Sequence, residues 1–91
     1  MNPLPIDHDD VARRGKFLYE QSIRREVETD ENIGKIVVID PETGAFAVDN
    51  KGLDASRRLH ALHPGAPLYG IRIGYNAAIS FGGVIERTDN T

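Results

Sequence analysis

Along residues 68–75, Leu-Tyr-Gly-Ile-Arg-Ile-Gly-Tyr, apolar bulk alternates with nearly bare positions. Tyr69, Ile71, Ile73 and Tyr75 fall on one side; Leu68, Gly70, Arg72 and Gly74 fall on the other. That period of two predicts a strand with one greasy face and one sparse face bearing a single charge. Glycines weaken a strand, so their clustering marks close approach by some other group. A different pattern runs through Ile36-Val37-Val38-Ile39, where apolar residues follow one another without alternation. A strand over 33–39 with both faces apolar is an interior strand covered on each side, or one whose second face meets a neighbouring chain. Asp40-Pro41-Glu42-Thr43-Gly44 then predicts a tight turn, with Pro41 preset for its second position and Gly44 free to go left-handed. The return strand is 45–48, with Phe46 and Val48 together.

Helical periods fill the gaps. From Val11 to Val27, the residues Val11, Gly15, Leu18, Tyr19, Ser22, Ile23 and Val27 share about half a helical wheel, and Glu20 stands four before Arg24 on the other side. Gly15 costs about 1 kcal/mol relative to alanine inside a helix, which puts the start of the stable helix after it. Phe17 lies off the apolar arc and is expected to contact a partner, unless the helix is rotated and Phe17 is core. A second helix is predicted over 51–62, with Ala55, Leu59 and Leu62 on one face and Lys51, Arg57 and Arg58 off it. His63-Pro64-Gly65-Ala66-Pro67 ends it. A last strand is expected over 79–86, bent at Gly82 and Gly83.

These elements predict an α+β fold in helix–hairpin–helix–hairpin order: a four-stranded, mainly antiparallel sheet with the helices packed on one face. Gly70, Gly74 and Gly82 would let a helix come near that sheet. Residues 1–8 read as a flexible lead-in, 9–87 as one domain and 88–91 as a frayed tail.

Composition narrows the uses. The 91 residues include no cysteine, which excludes a disulfide scaffold and fits a cytoplasmic location. No leader-like or membrane-length apolar segment is found, so no membrane partner is expected. With 14 acidic and 11 basic residues, net −3, the chain lacks the basic surplus of a phosphate-backbone binder, and nucleic acid is not expected as a partner. The charges are uneven: residues 7–31 hold eight acids against five bases, and residues 51–72 hold four bases against Asp54 alone. A small domain without staples gains stability by pairing, which points to self-association or a protein partner.

Chemistry-bearing motifs are few. Arg72, between glycines, has room to hold an anion unless Asp40, Asp49 or Glu86 neutralises it within the fold. His60 and His63 stand three apart without a cysteine or carboxylate at ligand spacing, so no metal site is expected. Ser22, Ser56 and Ser80 occupy no nucleophile motif, no phosphate loop or dinucleotide fingerprint occurs, and neither catalytic residues nor a cofactor are assigned.

The run Gly34-Lys35-Ile36-Val37-Val38-Ile39-Asp40, then Thr43-Gly44 and Pro67-Leu68-Tyr69-Gly70-Ile71-Arg72-Ile73-Gly74, resembles a family of small uncharacterised bacterial proteins common in cyanobacteria. The likeness runs from about Gly15 to Arg87. It also resembles proteins encoded beside aspartic-protease-like or toxin-type genes, which implies an antitoxin-like or accessory role and transfers no catalytic residue. The leading expectation is a non-enzymatic protein-interaction module acting as a homodimer, with Phe17, Ile36, Val38, Arg57 and Arg58 as contacts. The alternatives are a ligand-binding protein or enzyme at Arg72, and a weak nucleic-acid-binding regulator.

Overall fold

The chain places one strand, β1 (Ile36–Ile39), at the centre of everything else. The computed structural model describes residues 8–75 and 77–79. Helix α1 (His8–Leu18) runs without a break into a π-helical turn (Tyr19–Ile23) and then α2 (Arg24–Val27). After β1 come β2 (Phe46–Asp49), helix α3 (Gly52–Leu62), β3 (Tyr69–Arg72) and a three-residue edge strand, β4 (Ala77–Ile79). The sheet order is β2-β1-β3-β4, antiparallel throughout. Val38 pairs with Ala47 on one side and Gly70 on the other.

Successive β1 side chains point to opposite faces, and each face has its own helix. Val37 and Ile39 meet Tyr19, Ile23 and Val27 of the compound helix, together with Tyr69, Ile71 and Ile73. Ile36 and Val38 meet Ala55 and Leu59 of α3. The molecule is therefore three-layered, with helices on both sides of the sheet. This corrects the expected fold: helices on one face would have left half of the apolar β1 run in water. Three four-residue strands form the body of the sheet, and β4 already holds Ala77 and Ala78, which were expected in a linking turn. The rest of the expected 79–86 strand lies outside the described residues.

The π turn has a cause in the sequence. Gly15, Tyr19, Ile23 and Val27 recur at a strict spacing of four, and all are buried. In an α-helix that spacing drifts by about 40° per step. A π turn holds more residues and takes up part of the drift, which keeps the row facing the sheet. Outside it, Arg24 bonds both Glu20 and Glu28, at 3.0 and 2.9 Å.

The close approach between layers falls on the helix, at Gly15. A Cβ there would lie 2.5 Å from Tyr69 Cβ and Cγ. Gly15 is thus no weak start to the helix but the seat of the Tyr69 ring. Of the glycines expected to admit a helix, Gly74 sits in the turn after β3 with φ 87° and faces Ile33, and Gly82 lies outside the described residues. Tyr75 does not continue the buried row of Tyr69, Ile71 and Ile73, because the strand ends at Arg72 and Tyr75 is exposed.

Candidate functional site

The β1–β2 turn and the carboxyl end of α3 meet at one place. Asp40 leaves the buried end of β1 only 1% exposed, and three bonds hold its turn: Asp40 N–H to Ala45 O at 2.8 Å, Gly44 N–H to Asp40 O at 2.8 Å, and Glu42 N–H to Asp40 Oδ1 at 3.0 Å. Gly44 takes φ 82°, as the turn requires. From the other side, α3 stops before Pro64 with His63 extended, φ −144° and ψ 82°. Gly65 at φ 77° reverses the chain, and His63 swings back onto the turn.

His63 Nδ1 lies 2.8 Å from Asp40 Oδ2, and Nε2 lies 3.7 Å from Glu42 Oε1. Burial pushes the Asp40 carboxyl up, but hydrogen bonds from His63, the Glu42 N–H and the Thr43 hydroxyl outweigh it and leave it below its ordinary value. The Asp40 bond raises His63 against the opposing effect of burial, with the Asp40 and Glu42 charges adding to the rise. Both shifts favour the charged pair. Beside it opens a cleft of ≈ 420 Å³ lined by Asp40, Thr43, Ala45, Leu59, Leu62 and His63.

This grouping differs from the one the sequence suggested. His60 and His63 are separated: His60 Nε2 meets Ala66 O at 2.8 Å, while His63 goes to Asp40. Asp40 is therefore engaged away from Arg72, and so is Asp49. The Asp49 carboxyl is lowered first by the Lys51 N–H and then by Arg58, whose guanidinium bonds Asp49 Oδ2 at 3.0 Å and Val48 O at 2.8 Å. Arg72 itself donates to Gly34 O at 2.9 Å, which ties β3 to the loop that leads into β1. Glu86 lies outside the described residues.

Among the expected partner contacts, Ile36 and Val38 are corrected. They are buried beneath α3 and offer no surface to another molecule. Phe17 is 61% exposed, Arg57 projects outward with Asp54 at 3.9 Å, and Arg58 is held against β2. Sequence reasoning missed the Asp40–His63 pair. Its signal was two proline turns, Asp-Pro and His-Pro, each aiming the polar residue before it, but they stand 23 residues apart and only the fold brings them together.

Arg72→Ala is expected to cost about 0.5–1.5 kcal/mol through the lost bond to Gly34, measured by urea unfolding. Equal losses with and without phosphate would confine Arg72 to that structural bond. Phosphate protection of the unsubstituted chain alone would show an anion site there.

No family model, curated protein or solved structure matches this chain. Among the described residues, no helix is long and apolar enough to cross a membrane.

Proposed function

We propose that this protein is a non-enzymatic interaction module that assembles as a homodimer through the outer side of its first helix. The supporting observation is Phe17, an aromatic left 61% exposed on a helix whose inner face is already filled by Val11, Gly15, Tyr19 and Ile23. Arg13, Arg14 and Lys16 surround it in sequence, and the two arginines pair with Asp10. An apolar centre with a charged rim is a common anatomy for a protein contact. A cytoplasmic setting and an antitoxin-like or accessory role go with this reading, through the resemblance drawn from residues 34–44 and 67–74.

Phe17→Ser tests it. Because the side chain is exposed, the substitution should change folding stability by less than about 0.5 kcal/mol. It should also shift sedimentation of the purified protein from dimer to monomer. A chain that sediments as a monomer at high concentration with Phe17 intact refutes the homodimer. An equal dimer population in both proteins removes Phe17 from the interface.

A further inference from the structure

We propose that His63 and Glu42, backed by Asp40, bind a divalent transition-metal ion of the zinc class at the junction of the β1–β2 turn and the end of α3. This goes beyond the interaction reading and does not depend on it. One ligand atom from each of Asp40, Glu42 and His63 lies within 4.8 Å of the other two. Exposed acids often gather without binding anything. Here the gathering includes an imidazole fixed in one orientation by a buried carboxylate.

The chemistry follows from what Asp40 can accept. Its ionised carboxylate takes hydrogen bonds and gives none, so the bond at 2.8 Å places the proton of a neutral His63 on Nδ1. Nε2 is then left with its lone pair, on the side where Glu42 Oε1 stands 3.7 Å away. Around a tetrahedral zinc with bonds of about 2.0–2.1 Å, two ligand atoms sit roughly 3.3–3.4 Å apart. Glu42 is 55% exposed on a flexible stem, so closing that gap needs only a small rotation. Asp40 stays behind the imidazole and fixes its tautomer and direction, the carboxylate–histidine–metal arrangement that raises ligand basicity. Water on the open side would complete the coordination.

Charge and ligand type select the ion. With His63 neutral, two carboxylates give the junction a charge of about −2, which attracts dications and repels anions. An imidazole nitrogen with a single direct carboxylate suits zinc, nickel or copper better than calcium or magnesium, which prefer several oxygens. His60 is outside the arrangement because its Nε2 is engaged by Ala66 O.

The test uses the full chain without a histidine tag, titrated with zinc chloride in slightly alkaline buffer and followed by calorimetry and by the ring-nitrogen NMR signals of its histidines. Expected are saturable binding of one ion per chain, a shift of the His63 Nε2 signal with Nδ1 still protonated, and no comparable response to magnesium. Glu42→Gln, an exposed change that leaves the fold intact, should weaken binding about tenfold or more, and His63→Ala should abolish it. Absence of saturable binding overturns the proposal. So does binding of unchanged strength in Glu42→Gln, or a shift confined to His8 or His60.

Discussion

Gly15→Ala lowers the stability of this protein, although alanine is the better helix former. At an ordinary interior helix position the exchange would gain about 1 kcal/mol. Here the new methyl would lie 2.5 Å from Tyr69 Cβ and Cγ and 2.6 Å from Cδ2. Those atoms are at the root of the side chain and cannot swing clear. Tyr69 is held by pairing with Ile39 across the sheet, so the helix must retreat and loosen Tyr19 and Ile23 beneath it. Overpacking of this kind costs typically about 1–3 kcal/mol, which leaves a net loss of up to about 2 kcal/mol after the propensity gain is subtracted. For a chain this small such a loss lowers Tm by roughly 4–8 °C per kcal/mol. Gly15→Val should be worse, because its branched side chain adds bulk at the same point. A rise in Tm for Gly15→Ala would show that helix and sheet do not touch there.

Asp40→Ala has the largest expected effect. The carboxylate is buried, organises the β1–β2 turn through the Glu42 N–H and Thr43 hydroxyl, and holds His63. Its removal leaves those donors without their acceptor; hydrogen bonds to a charged group contribute about 1.5–3 kcal/mol each and do not add fully, so a loss of roughly 2–4 kcal/mol is expected. Urea unfolding measures it. Asp40→Asn should cost less, because an amide oxygen can still accept the Glu42 N–H.

The same pair sets a pH window. His63 is raised above its ordinary 6.5, so its contribution is fully present below that value and is lost as pH rises through the folded value. Asp40 is lowered below its ordinary 3.8, so its contribution is present above 3.8 and lost as pH falls through the folded value. The pair therefore stabilises most between about 3.8 and 6.5. In buffer with a chelator, that share of the stability profile should vanish in Asp40→Ala. A profile unchanged by the substitution would remove the pair from the balance.

Much of the local structure was legible from neighbouring residues. Asp40-Pro41-Glu42-Thr43-Gly44 specifies its own turn, since each residue there acts on backbone groups within a few positions. The helical stretch through Val27 was equally readable, although its start before Gly15 and the π turn within it were not expected. Phe17 was placed outside the apolar arc, and it is exposed. The unbroken Ile36–Ile39 run marked a strand apolar on both faces, but it left open whether a helix of the same chain or a neighbouring molecule covers the second one.

Other features were not legible, for a shared reason. Nothing local assigns a helix to one face of a sheet or the other, so α3 beneath Ile36 and Val38 had to come from packing. Gly15 read alone is a weak helix residue; beside Tyr69 it is the contact that lets two layers meet. Arg72 had several plausible partners along the chain, Asp40 among them, and only distance in space gave Arg72 to Gly34 and Asp40 to His63.

The sequence by itself determined the turn at Asp40–Gly44, the two helical stretches, the extended runs at β1, β2 and β3, and that β1 is apolar on both sides, because those properties depend on short spans of backbone and side-chain periodicity. The tertiary structure alone decided which helix covers which face, why Gly15 must be bare, and that Asp40 meets His63. Those outcomes depend on residues distant along the chain competing for the same small volume.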